Sequence, residues 1–258
     1  MPSLKTNQIN VSLVIPAYNE AARLPGTLHR VLGYLKRQPY RWELIVVDDG
    51  STDDTAGICE THEPVRLIRN KVNMGKGYSV ARGMLAARGE RVIFTDADLA
   101  APVEEIKKIL VALDCADVAI GRRQTRVDQG ITRETLGKLF AYLTRMITGL
   151  PFTDTQCGLK GFTLDAARAV FPRLTCRRFA FDVEALMLAQ KLGLKVAEIP
   201  VAWRHVPGSK VSPVNDGWQM LKDTWRIRRE LGELRAGDAV RPAGIGGAVM
   251  HEVGGDRL

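Results

Sequence analysis

Short apolar, β-branched runs alternate along this chain with longer stretches whose apolar residues recur every three or four positions. Val11–Ile15 and Val92–Thr95 read as buried strands, and Glu43–Val47 and Val65–Arg69 as further strands. Between them, 21–35, 55–63 and 78–87 read as helices; the first carries Leu24, Leu28, Val31, Leu32 and Leu35 at helical spacing. Strict alternation of this kind predicts an α/β fold: a mostly parallel sheet flanked by helices. Further along, 102–113, 135–148, 164–170, 181–192 and 216–234 are predicted helices, and 117–120 and 195–201 are predicted strands. Residues 152–161 read as a loop-rich segment, and the glycine- and alanine-rich 236–258 as a tail without order.

The polar clusters fall where ligands bind in such sheets, beyond the carboxyl ends of the strands. Pro16-Ala17-Tyr18-Asn19-Glu20 follows the first strand, a run of aspartates from Asp48 follows the second, and Asp96-Ala97-Asp98 follows the fourth. Taken alone, the last reads either as a turn leading into a helix or as a metal site. Two carboxylates at i and i+2 beside a buried strand repel each other, and a hard divalent cation relieves that repulsion. Three such clusters on one rim favour the site. Tyr18 is placed to stack on a base, Asp49 to accept a base N–H, and Glu20 to bind ribose hydroxyls. Glu20 reads equally as a first-turn helix charge, and Asp53 and Asp54 read as helix caps. No phosphate-binding P-loop and no GxGxxG after the first strand are present.

Composition narrows the classes. The net charge of +8 suits nucleic acid, an anionic membrane surface or an anionic substrate, but no interleaving of aromatic and basic residues supports nucleic acid. Cys59, Cys115, Cys157 and Cys176 form no metal-binding spacing and read as free thiols of a reducing compartment. The amino terminus has no apolar signal region, and no run of 18 apolar residues is long enough to span a bilayer. The helix at 135–148 mixes Leu136, Leu139, Phe140, Leu143 and Met146 with Lys138 and Arg145. It reads either as core or as a helix lying in a membrane interface. The helix at 216–234, with Trp218 and Trp225 among Lys222, Arg226, Arg228 and Arg229, reads as core.

PAYNE at 16–20, VVDDGSTDDT at 46–55, NMGKG at 73–77, DAD at 96–98 and GRR at 121–123 resemble the family-2 inverting glycosyltransferases of the GT-A fold. DTQCGLKGF at 154–162, FAFDVEAL at 179–186 and VPGSKVSP at 206–213 resemble their dolichyl-phosphate glucosyltransferase and dolichol-phosphate mannose synthase branch. The resemblance covers about Val11 to Leu231. It implies a single domain over 1–235, with a nucleotide-sugar half at 11–120 and an acceptor and membrane-interface half at 121–235 carrying amphipathic helices. It implies Mg²⁺ or Mn²⁺ on Asp96 and Asp98, and a nucleotide pocket from Pro16, Ala17, Tyr18, Glu20, Asp49 and Lys76. Some relatives carry a metal-assisting Gln where this chain has Ala100.

Negative charge develops on a departing nucleotide diphosphate, so basic groups are needed. Arg122 and Lys210 are the candidates for that work. Arg123 and Arg133, with Asp154, Gln156, Asp182 and Glu184, are candidates for the acceptor and the sugar. Asp182 and Glu184 are i and i+2 on a helix, so at most one is expected to point inward. A phosphate monoester is largely a dianion near neutral pH and needs no general base. The expected reaction moves a hexose, glucose before mannose, from UDP-glucose or GDP-mannose to a polyprenyl phosphate, at the inner face of the membrane on its cytoplasmic side. The alternatives are transfer to a small phosphorylated acceptor such as a glycerate, and a non-catalytic nucleotide-sugar-binding protein.

Overall fold

The computed structural model describes residues 8–124, 131–204, 206 and 215–233, without the side chains of 131–139, 215, 216 and 233. Elements run β1 (Val11–Ala17), α1 (Leu24–Leu35), β2 (Trp42–Asp48), α2 (Thr55–Glu60), β3 (Val65–Arg69), α3 (Lys76–Ala86) and β4 (Arg91–Phe94). They continue with α4 (Ile106–Ala112), β5 (Val118–Arg123), α5 (Ile131–Thr148), β6 (Lys160–Thr163), α6 (Leu164–Val170), α7 (Phe181–Lys191), β7 (Val196–Val201) and α8 (Asn215–Glu233).

Among the described residues the strands form one sheet in the order β3-β2-β1-β4-β6-β5-β7. The expected α/β architecture with a mostly parallel sheet is what the chain adopts. β6 is the exception: it runs antiparallel to both β4 and β5, pairing Phe94 and Ile120 with Lys160. It begins inside the segment read as loop-rich, because a lysine and a glycine open it and neither has strand character. β5 runs three residues further than the apolar pattern indicates and carries Arg122 and Arg123 in register with Pro200 and Val201 of β7. α3 starts two residues early, which places Lys76 at its first position.

Successive strand residues face opposite sides of the sheet, so Leu13 and Val14 enter different cores. Val14, Ile45, Val47 and Phe94 pack under α3, α6 and α7, with Val80, Met84, Val170 and Phe181. Leu13, Ile15 and Leu44 pack under α1 and α4, with Leu24, Leu28, Ile106 and Ile109. Both faces being covered explains the nearly continuous apolar runs of the central strands β1, β2 and β4. It also leaves the strand ends as the rim on which polar loops can gather.

α8 packs along α5 and α7, but through its narrow side. Ile227 is buried, whereas Trp218 and Trp225 are 62% and 58% exposed. The expectation that the two tryptophans are core is corrected. Tyr142 and Met146 of α5 are exposed as well. Lys222 sits over Trp218 and Arg229 over Trp225, each 5.5 Å from the ring centre. Arg228 reaches back to donate to the Ile147 carbonyl near the end of α5. The three buried cysteines and the exposed Cys115 are all free thiols.

Candidate active site

The loops after β1 and β2 are tied together before any ligand is considered. Asn19 adopts φ 52°, a left-handed conformation that asparagine tolerates. From there its side chain accepts from the Thr52 amide at 2.8 Å, and its own amide donates to Ser51 Oγ at 2.9 Å. Asp53 accepts from the Thr55 and Ala21 amides at 3.0 Å each and so cross-links the two loops, while Asp54, the residue at the N-cap of α2, makes no side-chain capping bond; the expected caps are corrected. Glu20 is paired with Arg23 at 2.9 Å.

Asp49 is 3% exposed. Its Oδ1 accepts from Asn70 Nδ2 at 2.7 Å and the Met74 amide at 2.9 Å, and its Oδ2 accepts from the Gly75 amide at 2.9 Å. A carboxylate has about four acceptor positions, so one is left for a ligand. The primary job visible here is to hold the glycine turn that starts α3. Gly75 takes φ +99°, and a Cβ there would lie 2.3 Å from the Arg177 carbonyl oxygen. Only glycine satisfies both conditions.

That turn delivers Lys76 to the acidic motif. Its Nζ lies 2.6 Å from Asp96 Oδ1. Burial opposes the lysine's charge, but Asp96, Asp182 and Asp98 outweigh it and hold its pKa above the usual lysine value. Asp98 is shifted up, first by burial and then by Asp96, despite the Ala100 amide that donates to its Oδ1 at 2.9 Å. Between Asp98 and Ala100, Leu99 is held at φ 49°, a costly conformation for a bulky residue. Gly158 packs against the other side of Asp96: a Cβ there would stand 2.1 Å from Oδ2.

These residues share one cleft of about 750 Å³, lined by Tyr18, Glu20, Asp49, Lys76, Asp96 and Asp98 among others. Pro16 and Ala17 line it too, so every residue expected in the nucleotide pocket is present. Arg177, Arg178 and Phe179 also line it. They were missed because they lie in a loop with no periodicity; two arginines just ahead of the FAFDVEAL motif were the available signal. A second cleft of about 910 Å³ shares Arg23 and Asp98 and adds His29, Arg30 and Arg204.

Asp96 and Asp98 offer a hard cation two carboxylates, and burial together with repulsion from Asp96 raises the proton affinity of Asp98. That donor set suits Mg²⁺ or Mn²⁺, with diphosphate and water oxygens completing the shell. Among the described residues no group of three or more His, Cys, Asp or Glu side chains is placed to hold a metal, so no further carboxylate or imidazole joins the pair. Ala100 is buried and contributes backbone only: its carbonyl accepts from the Arg204 amide at 2.8 Å.

The candidates from the second half are placed differently. Arg123 is gripped by Asp154, with Nε–Oδ2 at 2.6 Å and Nη2–Oδ1 at 2.7 Å, and it stacks 5.6 Å from the Trp203 ring centre. The pair holds Asp154 below the usual carboxylate range despite its burial. Gln156 turns toward Met220 Sδ, 3.9 Å away. Asp182 and Glu184 are both buried, but they turn to different partners and neither lines either cleft. Asp182 meets Lys160, itself fully buried, at 2.6 Å, and Lys160 also donates to the Cys157 carbonyl at 2.6 Å. Glu184 faces the loop ahead of its own helix, accepting from the Thr175 amide and hydroxyl and the Cys176 amide at 2.7–2.9 Å. Arg122 is half-buried on β5 and does not line the 750 Å³ cleft. Arg133 belongs to α5, but its side chain lies outside the described residues, as does Lys210.

Comparison with known proteins places this geometry. The model of the family described as glycosyl transferase family 2 matches residues 12–171. Dolichyl-phosphate beta-glucosyltransferase of Dictyostelium discoideum is 37% identical, over 88% of this chain and 78% of the relative. The human protein of that name is 35% identical, over 84% and 74%. Among solved structures, mannosyl-3-phosphoglycerate synthase from Rubrobacter xylanophilus aligns with TM-score 0.66 at 21% identity, covering 88% of this chain and 76% of that one. Glucosyl-3-phosphoglycerate synthase from Mycobacterium tuberculosis, solved with Mn²⁺, UDP and glucosyl-3-phosphoglycerate, aligns with TM-score 0.63 at 20% identity, over 85% and 78%. These likenesses establish the shared fold, and the match over residues 12–171 establishes the lineage: the chain is a member of glycosyltransferase family 2.

Proposed function

We propose that the protein transfers glucose, with inversion, from UDP-glucose to a dolichyl-type polyprenyl phosphate, using Mg²⁺ or Mn²⁺. GDP-mannose is the second donor considered. The observation that carries the acceptor class is the state of the carboxylates beyond the acidic motif. Asp154 is bound by Arg123, Asp182 by Lys160, and Glu184 by three donors of its own loop. A hydroxyl acceptor needs a poised general base. A phosphate dianion does not, and these three carboxylates are committed elsewhere. The dolichyl-phosphate glucosyltransferases that the chain resembles over most of its length act, by their name, on such a phosphate.

In this reading Tyr18 stacks on the base, Asp49 uses its remaining acceptor position on a base N–H, and Glu20 meets the ribose. Asp96 and Asp98 would hold the divalent cation, which supplies positive charge to the diphosphate as it leaves. Lys76 neutralises Asp96 in the cleft. The acceptor phosphate is oriented by basic groups, with Arg122, Arg133 and Lys210 as candidates; the arginine-lined second cleft beside Asp98 offers an approach. In this reading residues 1–235 form one unit; the donor groups come from 11–120 together with the loop at 177–179, and the acceptor groups from the rest of 121–235.

No described helix is long and apolar enough to cross a membrane. The exposed Trp218, Trp225, Tyr142 and Met146, set among Lys222, Arg226 and Arg229, support peripheral docking on an anionic bilayer at its cytoplasmic face. The likeness in fold to phosphoglycerate-glycosylating enzymes keeps a small phosphorylated acceptor as the second reading.

The test incubates labelled UDP-glucose with vesicles containing polyprenyl phosphate, and separately with 3-phosphoglycerate, then partitions the label between organic and aqueous phases. Label in the organic phase, lost in Asp98→Ala, supports the proposal. Product with phosphoglycerate alone sinks the lipid acceptor, and turnover unchanged in Asp98→Ala sinks the role of the acidic pair.

A further inference from the structure

The nucleotide cleft carries more negative charge than the groups named so far offset. Asp96 is paired with Lys76 and Glu20 with Arg23, which leaves Asp98, and Asp49 met only by neutral N–H donors. A nucleotide diphosphate ester adds about two negative charges and gains another as its bond to the sugar breaks; a divalent cation offsets about two. The chain must supply further cations at this point. Arg123 is consumed by Asp154, and Arg122 does not line the cleft. Arg177 and Arg178 do line it, and both are exposed.

The loop that bears them is held rigid. Glu184 fixes Thr175 and Cys176 through three hydrogen bonds. The Tyr78 amide donates to the Arg177 carbonyl at 3.2 Å, and the Arg177 guanidinium lies 5.9 Å from the Tyr78 ring centre. Gly75 and Gly77 let the loop press on the first turn of α3; a Cβ on Gly77 would stand 2.5 Å from the Cys176 carbonyl oxygen. The two arginine heads therefore project from a backbone locked to the turn that carries Lys76. Such preorganised cations stabilise developing charge without reorganising, and guanidinium groups match phosphate geometry.

We propose that Arg177 and Arg178 are a cationic clamp on the donor's diphosphate, opposite the acidic pair, with Glu184 as the residue that positions their loop. This rests on the nucleotide-donor reading above. The test is calorimetric titration of wild type, R177A/R178A and R177K/R178K with UDP, GDP, UMP and GMP in the presence of Mn²⁺. For the alanine pair, nucleoside diphosphate affinity falls about 10- to 100-fold, monophosphate affinity falls less than about threefold, and the lysine pair recovers most of the loss. Equal losses for di- and monophosphates, or no loss, overturn the clamp and leave the donor reading standing. Wild-type protein that binds neither UDP nor GDP overturns both. Thermal melts of the variants, and the di- to monophosphate affinity ratio, separate loss of the clamp from loss of fold.

Discussion

Lys160 and Asp182 offer the sharpest test of how the interior under the site is held together. Lys160 is fully buried on β6, and its ammonium reaches Asp182, whose side chain is 7% exposed. Lys160→Met removes the cation and leaves a buried carboxylate beside Asp96. Breaking a pair of this kind costs about 3–5 kcal/mol, which for a chain of this size lowers Tm by roughly 6–20 °C. The loss should depend on pH, and its sign follows from proton linkage. Burial raises the pKa of Asp182, while Lys160 and then Lys76 lower it. Without Lys160 the folded form holds the proton more tightly still. The folded state then binds more protons than the unfolded state above the unfolded-chain pKa, so stability falls as pH rises through that window. The deficit of the variant is therefore smaller at pH 5.5 than at pH 8. Thermal melts at the two pH values measure it, and K160M/D182N should regain at least half of the lost Tm at pH 8. A K160M variant that melts with wild type at both values, or whose deficit grows on acidification, refutes the reasoning.

Gly158→Ala should lower kcat at least about tenfold, because its Cβ would displace the Asp96 carboxylate; a steady-state assay alongside a melt separates this from unfolding. Asp154→Ala strips the largely buried Arg123 of its partner and should cost about 2–4 kcal/mol, read by urea denaturation. A thiol reagent at pH 8 should label one cysteine quickly. That cysteine is Cys115, since burial pushes the Cys59 thiol up to about 12 and those of Cys157 and Cys176 up to about 11. Replacing Trp218 and Trp225 together by serine should weaken flotation with anionic vesicles by about tenfold or more, with Tm nearly unchanged.

The first half of the fold was legible because its central strands, covered on both faces, are short, β-branched apolar runs that alternate with longer segments of helical spacing. Part of the cleft was legible for a related reason: PAYNE, the aspartates from Asp48 and the Asp96–Asp98 pair all lie at the carboxyl ends of such strands. β6 was hidden by chemistry that local sequence cannot evaluate. Lys160 is an improbable residue for a central strand until Asp182, 22 positions later, is known to meet it. Glu184 shows the same limit from the other side, since helical spacing gave no sign that its carboxylate turns back to the loop ahead of α7. The tryptophans of α8 show that a periodic apolar stripe identifies a helix without identifying what covers it. Arg177 and Arg178 could be found only once the loop was seen against the glycines of α3.

The reversed strand has a consequence for which part of the chain can vary. Because β5 and β6 are antiparallel neighbours, with Ile120 opposite Lys160, they form a hairpin whose connection has grown to include α5. The bidentate Arg123–Asp154 contact closes the neck of that outgrown loop. A segment whose two ends leave and re-enter the sheet side by side can lengthen, shorten or be replaced without moving the register of any other strand. Grafting the corresponding segment from an enzyme with a water-soluble acceptor, with the arginine–aspartate neck retained, should therefore redirect the acceptor while leaving the donor cleft intact.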